Sequence, residues 1–137
     1  MKNWLTSPSG TLILAAIAFL TFAGYTFLSA LVLGNWNLDS SMAAISIVVV
    51  VILTGVWLWA LLFISQDSKG ALIAVLILSL LNILAGGSDI LVFCPTPCQG
   101  YWPLAEIWHW VMVLTGLIAT ISVGLHLRRI ASQEKNH

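Results

Sequence analysis

Charged residues are scarce in this chain of 137 residues, and their scarcity excludes a water-soluble domain. Asp, Glu, Lys and Arg make up 7% of the sequence, whereas soluble domains contain about a quarter. Hydrophobic residues make up 60%, and the mean hydropathy is +1.02. Five basic residues balance five acidic ones, so the chain has no basic patch for nucleic-acid phosphates. The composition predicts an integral membrane protein whose first partner is the lipid bilayer.

Histidine, lysine and catalytic motifs are also sparse. The histidines are His109, His126 and His137, and the first two would lie roughly 25 Å apart along one helix. This spacing argues against a haem held by two histidines of a single chain, and His126 is expected at the inner membrane boundary. No lysine lies inside a long apolar stretch, which excludes a retinal Schiff base. Hydrolase motifs such as Gly-x-Ser-x-Gly are absent, which argues against an enzyme.

Four apolar stretches are long enough to cross a membrane. A helix rises about 1.5 Å per residue, so a hydrocarbon core of roughly 30 Å takes about 20 residues. The stretches are 11–33, 42–64, 71–93 and 104–127, followed by a polar tail at 132–137 that we expect to fray. The run 45–53 is apolar on nearly every face, which does not fit a β-barrel strand. We predict an all-α membrane protein in which residues 1–137 form one antiparallel, up-down bundle of four transmembrane helices.

The basic residues predict the orientation of this bundle. All of them lie on the same side of a four-span array: Lys2, Lys69, Arg128, Arg129 and Lys135. The other two loops, 34–41 and 94–103, contain no Lys or Arg. The positive-inside rule then predicts cytoplasmic N- and C-termini and an extracytoplasmic 94–103 loop, in a bacterial inner membrane or its equivalent.

Polar and small residues form one stripe on each of the last two spans. They are Ser79, Asn82, Gly86 and Asp89 on the third span, and Glu106, His109, Gly116, Thr120 and Gly124 on the fourth. At about 100° per residue, each set falls on a single face. Because the link between these spans is short, we expect them to pack as a hairpin with Asp89, Glu106 and His109 near one another.

Three ionisable groups under the outer surface suggest a metal or quinone site. Two carboxylates and an imidazole suit copper, zinc or iron when a further ligand completes the shell. The same groups suit hydrogen bonding to a quinol hydroxyl. Alternatively, Asp89 and Glu106 extend into the headgroup layer and His109 is one more interfacial ring, so that no site exists.

Two further sets of residues lead to hypotheses, one about the 94–103 loop and one about helix packing. Cys94 and Cys98 are the only cysteines, on the predicted outer side, where an oxidising compartment favours a disulfide. A redox-active pair and a soft-metal site, such as copper, are the other interpretations. Gly116, Thr120 and Gly124 follow a spacing of four, which favours close helix packing within the chain or self-association.

The small size and the few functional groups favour an accessory or structural subunit of a larger membrane complex of the electron-transfer or oxygenase type. A metal- or quinone-binding redox protein is the first alternative. A small transporter with Asp89 and Asn82 on its pathway is the second.

Overall fold

The computed structural model describes residues 4–31, 40–92 and 103–136. Four helices account for nearly all of them: α1 is Pro8–Leu31, α2 is Ser40–Ile64, α3 is Lys69–Val92 and α4 is Pro103–Lys135. No strand occurs in these three ranges. Each helix is long and apolar enough to cross a membrane. The predicted all-helical class, with four helices long and apolar enough to span a membrane, is therefore confirmed in the described ranges, as expected of an integral membrane protein.

Short polar segments begin and end these helices. The Ser7 hydroxyl accepts a hydrogen bond from the backbone N–H of Gly10 at 3.1 Å, and Pro8 occupies the first helical position, where a missing N–H costs nothing. Just after the end of α2, the N–H of Asp67 donates to the carbonyl of Ile64 at 3.1 Å. Asp67 has a φ of 52°, a left-handed conformation that Asp tolerates better than most residues. This residue lies in the turn between α2 and α3.

The last helix is longer than its apolar stretch. We predicted a span ending at 127 and a frayed tail from 132, but α4 continues through Lys135. The tail contacts the start of α3, because Lys69 Nζ donates to Glu134 Oε2 at 2.6 Å. Hydropathy identifies only the part of a helix that lies in lipid, so this polar extension was missed.

The helices pack around small residues. In the described part of the chain, α4 packs on α3 and α1, and α2 packs on α3 and α1 without touching α4. The buried apolar core is Ala15, Ala18, Trp57, Ala60, Ile64, Ala71, Leu72, Val75, Leu78, Ala119 and Val123. Alanine at these positions allows backbones to approach closely, which stabilises helix pairs in lipid where apolar burial gives no driving force.

Candidate functional site

His109, the imidazole of the predicted metal or quinone site, is buried. It is 4% exposed on α4, and its ring centroid lies 5.3 Å from that of Tyr25 on α1. The two rings are tilted by 59°, a geometry typical of favourable aromatic contacts. His109 therefore lies inside the protein, packed between α4 and α1.

The other members of the predicted sites lie outside what the structure describes. Asp89 is part of α3 and Glu106 is part of α4, but neither side chain is among the described ones. Cys94 and Cys98 lie outside the described residues altogether. Among the side chains that are described, no group of three His, Cys, Asp or Glu residues is placed to hold a metal ion. The metal, quinone and disulfide hypotheses therefore stay predictions.

The polar stripe of α3 faces its neighbours α1 and α4. Ser79 and Asn82 are buried, and Asn82 Nδ2 donates to the backbone carbonyl of Ala18 at 3.0 Å. A Cβ atom added to Gly86 would lie 2.9 Å from the carbonyl oxygen of His109. Glycine at this position therefore lets the backbones of α3 and α4 approach closely.

The three small residues of α4 have different surroundings. A Cβ atom at Gly116 would lie 2.9 Å from both Ile83 Cγ1 and the backbone oxygen of Ser79. Thr120 is partly buried, and its hydroxyl has no partner among the described residues. A Cβ atom at Gly124 would meet nothing within 4 Å. Close packing against α3 therefore depends on Gly116 and not on Gly124.

Hydrogen bonds tie α1 to α4 at the middle of the bundle. The Thr21 and Thr115 hydroxyl oxygens lie 3.0 Å apart, and Thr115 also donates to the carbonyl of Val111 at 2.8 Å. The Trp108 indole N–H donates to the carbonyl of Thr21 at 3.0 Å. These polar groups are satisfied within α4 or by α1, which is what a water-free environment requires.

The most extensive polar cluster lies at the opposite end of α4 from His109 and was not predicted. His126 is fully buried, with Nδ1 3.0 Å from the Thr11 hydroxyl oxygen and Nε2 2.7 Å from Asp67 Oδ1. Ser122 donates to the Leu5 carbonyl at 2.7 Å and lies 3.3 Å from the Thr11 hydroxyl. We call Thr11, Asp67, Ser122 and His126 the His126 network. It joins the start of α1, the α2–α3 turn and α4.

A sequence signal for this network existed but was weak. Ser122 and His126 are four residues apart and so share one face of α4. Nothing in the sequence indicates that Thr11 and Asp67, from two distant segments, meet on that face. His126 is buried in the protein, and its expected place at the inner membrane boundary stays a prediction.

The order of carboxylate, imidazole and hydroxyl in the His126 network is the one that activates nucleophiles in some enzymes. Here Thr11 is fully buried and Ser122 is 1% exposed, so a substrate has no access to either hydroxyl. An ionised carboxylate only accepts hydrogen bonds, and His126 Nε2 therefore donates its proton to Asp67. The Arg129 guanidinium lies 3.8 Å from the same carboxylate oxygen. The arrangement fixes three segments of the chain and is structural.

A groove lies between α1, α2 and α3. Its volume is about 440 Å³, and its lining includes Phe22 of α1, Leu53 and Trp57 of α2, and Leu81 and Asn82 of α3. Apolar side chains form nearly all of its walls. This groove is separate from the His126 network.

Comparison with protein-family models, curated protein sequences and solved structures finds no match for this chain.

Proposed function

We propose that this chain is an accessory or structural subunit of a larger membrane complex, of the electron-transfer or oxygenase type. In this proposal the four helices run up and down, antiparallel, through a bacterial inner membrane or its equivalent. The positions of the five basic residues support cytoplasmic termini and an extracytoplasmic 94–103 loop.

The observation that supports the proposal is that described polar side chains inside the bundle form hydrogen bonds between helices. Asn82 and Trp108 donate to backbone carbonyls of α1, and the His126 network joins α1, the α2–α3 turn and α4. Each of these contacts fixes one helix against another. Buried polar side chains that hold helices together support a scaffold better than a catalyst or a carrier.

The surface of α2 is suited to contact with other membrane helices. In the part of the chain that the structure describes, it has no contact with α4, and a long row of its apolar side chains is exposed: Ile45, Ile47, Val48, Val49, Val51, Ile52, Val56, Leu58 and Leu62. In a lone chain this face meets lipid, and in a complex it is available to a neighbouring subunit. We therefore place the partner contact on α2.

Photocrosslinking in native membranes tests the proposal. A photoreactive amino acid at Val48 or Val51, both exposed on α2, should give one discrete protein adduct of higher mass. The same residue at buried Ala60 should give none and serves as the matched control. Extraction in mild detergent should then recover the chain with that partner in fixed stoichiometry. A lone 14.8 kDa monomer that crosslinks only to lipid would overturn the proposal.

The second candidate function is a metal- or quinone-binding redox protein with Asp89, Glu106 and His109. The burial of His109 at 4% exposure favours it, because an imidazole inside the bundle can orient a ligand. Metal analysis and quinone extraction of the purified chain, repeated with Glu106→Gln and His109→Ala, test this candidate. Bound ligand that both variants retain would refute it.

A transporter pathway through Asp89 and Asn82 has less support. The Asn82 amide nitrogen already donates to the Ala18 carbonyl, and the groove beside it has almost entirely apolar walls. Neither feature suits the passage of a hydrated solute.

A further inference from the structure

The groove between α1, α2 and α3 has the size of a small-molecule site. Its volume of about 440 Å³ falls in the range of roughly 300–1,000 Å³ typical of ligand pockets. It lies within helices that span the membrane, so its ligands come from the bilayer. Phe22, Leu53 and Leu81 provide apolar walls from three different helices. The groove thus fits an extended apolar body.

Two polar groups in the lining are left without partners. Asn82 is 2% exposed and donates through Nδ2 to Ala18, but its amide oxygen receives no hydrogen bond from the described residues. Trp57 is 1% exposed, with its ring 5.9 Å from that of Phe19. Its indole N–H likewise has no acceptor in the described part of the chain. Unpaired polar atoms are unfavourable in a membrane interior, where no water compensates for them.

The chemistry of these two groups specifies the ligand. An amide oxygen only accepts hydrogen bonds and an indole N–H only donates them. A hydroxyl group does both. We propose that the groove binds a lipid-soluble alcohol or phenol, whose hydroxyl donates to Asn82 and accepts from Trp57 while its apolar body lies along Phe22 and Leu53. This site is independent of the proposed role as a subunit.

Other occupants would satisfy the groove less completely. The acyl chain of an ordinary phospholipid would fill the apolar walls and leave both polar groups unpaired. A ketone or quinone would accept from Trp57 but has no proton to donate to Asn82. Ser88 can only accept a hydrogen bond from a ligand, because its hydroxyl proton is donated to the carbonyl of Ala85 at 3.0 Å, so it cannot replace the indole N–H of Trp57 as a donor. The expected order of affinity is alcohol, then ketone, then hydrocarbon.

The test uses the full chain in lipid nanodiscs and a hexadecanol that carries a diazirine and a terminal alkyne. Its controls are the matched ketone and the matched hydrocarbon. The alcohol should bind about fivefold more tightly than the hydrocarbon, the effect of about one net hydrogen bond. Its crosslinks should fall on peptides that line the groove, between residues 53 and 57 or between 78 and 88.

Two pairs of variants separate this site from nonspecific partitioning. Trp57→Phe keeps a six-membered aromatic ring and removes the N–H, so it should reduce the preference for alcohol over hydrocarbon. Trp59→Phe, at an exposed position on the same helix, should leave that preference unchanged. Ala85→Phe should fill the groove and abolish the crosslinks, whereas Ala44→Phe, on an exposed part of α2, should not. Equal binding of alcohol and hydrocarbon, or crosslinks that persist in Ala85→Phe, would overturn the proposal.

Discussion

His126 Nε2 on α4 and Asp67 Oδ1 in the α2–α3 turn lie 2.7 Å apart. The imidazole is fully buried, whereas the carboxylate side chain is 48% exposed. Asp67 also adopts a left-handed backbone conformation in that turn. One residue therefore shapes the turn and attaches it to the last helix.

Asp67→Asn should destabilise the protein more than the loss of an exposed ion pair does. Asn tolerates the same left-handed conformation, so the substitution changes the charge and the hydrogen bond but not the turn. The free energy of unfolding should fall by about 1–3 kcal/mol, because His126 loses a charged, partly buried acceptor. Reversible unfolding in detergent measures this change.

Glu134→Gln is the matched control for that experiment. Glu134 pairs with Lys69 at 2.6 Å, but both side chains are at least half exposed. Exposed pairs contribute about 0–1 kcal/mol, so this variant should remain close to the wild type. If both variants lose the same free energy of unfolding, then burial of His126 does not strengthen its contact with Asp67.

Gly116→Ala should be destabilising, whereas Gly124→Ala should not. The new methyl group at 116 would press against the backbone of Ser79 and against Ile83, and overpacking of this kind costs about 1–3 kcal/mol. At 124 the methyl group meets nothing, and the higher helix propensity of Ala is worth up to about 1 kcal/mol. Unfolding of both variants in one detergent gives the comparison. A similar loss of stability in both would contradict the packing described for α4.

Trp108→Phe should weaken the attachment of α4 to α1. The substitution removes the indole N–H that donates to the Thr21 carbonyl. Hydrogen bonds between membrane helices contribute about 0.6–2 kcal/mol, and we expect a loss in this range. Trp110→Phe is the control, because Trp110 is 51% exposed, and its stability should change by less than about 0.5 kcal/mol. Thermal unfolding followed by circular dichroism distinguishes the two variants. If Trp110→Phe is less stable than Trp108→Phe, the Trp108 hydrogen bond does not attach α4 to α1.

The proposed orientation predicts where a new cysteine can be labelled. Ser132 is exposed near the end of α4, on the side that we propose is cytoplasmic. In a chain with Cys94→Ser and Cys98→Ser, the variant Ser132→Cys should react with a membrane-impermeant maleimide only after the cells are permeabilised. The wild-type cysteines, after reduction, should react in intact cells. Labelling of Ser132→Cys in intact cells would reverse the proposed topology.

The sequence predicted those parts of the fold that depend on local hydrophobicity. All four spans were identified, because about 20 consecutive apolar residues have few alternatives to a membrane helix. The extension of α4 through Lys135 was missed, since contacts such as Lys69 with Glu134 join residues that are distant along the chain.

Individual polar contacts were harder to predict than the helices. The seam between α3 and α4 was expected to centre on Asp89, Glu106 and His109, of which the structure describes only the imidazole side chain. The pairing of His126 with Thr11 and Asp67 depends on the rotation of α4 about its axis. Periodicity shows which residues share a face, but not which neighbour that face meets.

The His126 network also has a consequence for the order of assembly during translation. Thr11 and Asp67 emerge in the first half of the chain, whereas their shared partner His126 lies near its C-terminus. In a ribosome-bound chain that has inserted three helices, the Asp67 carboxylate and the Thr11 hydroxyl therefore still lack His126 as a hydrogen-bond partner. These hydrogen bonds form only when α4 is in place, so a chain that is terminated before α4 lacks the His126 network.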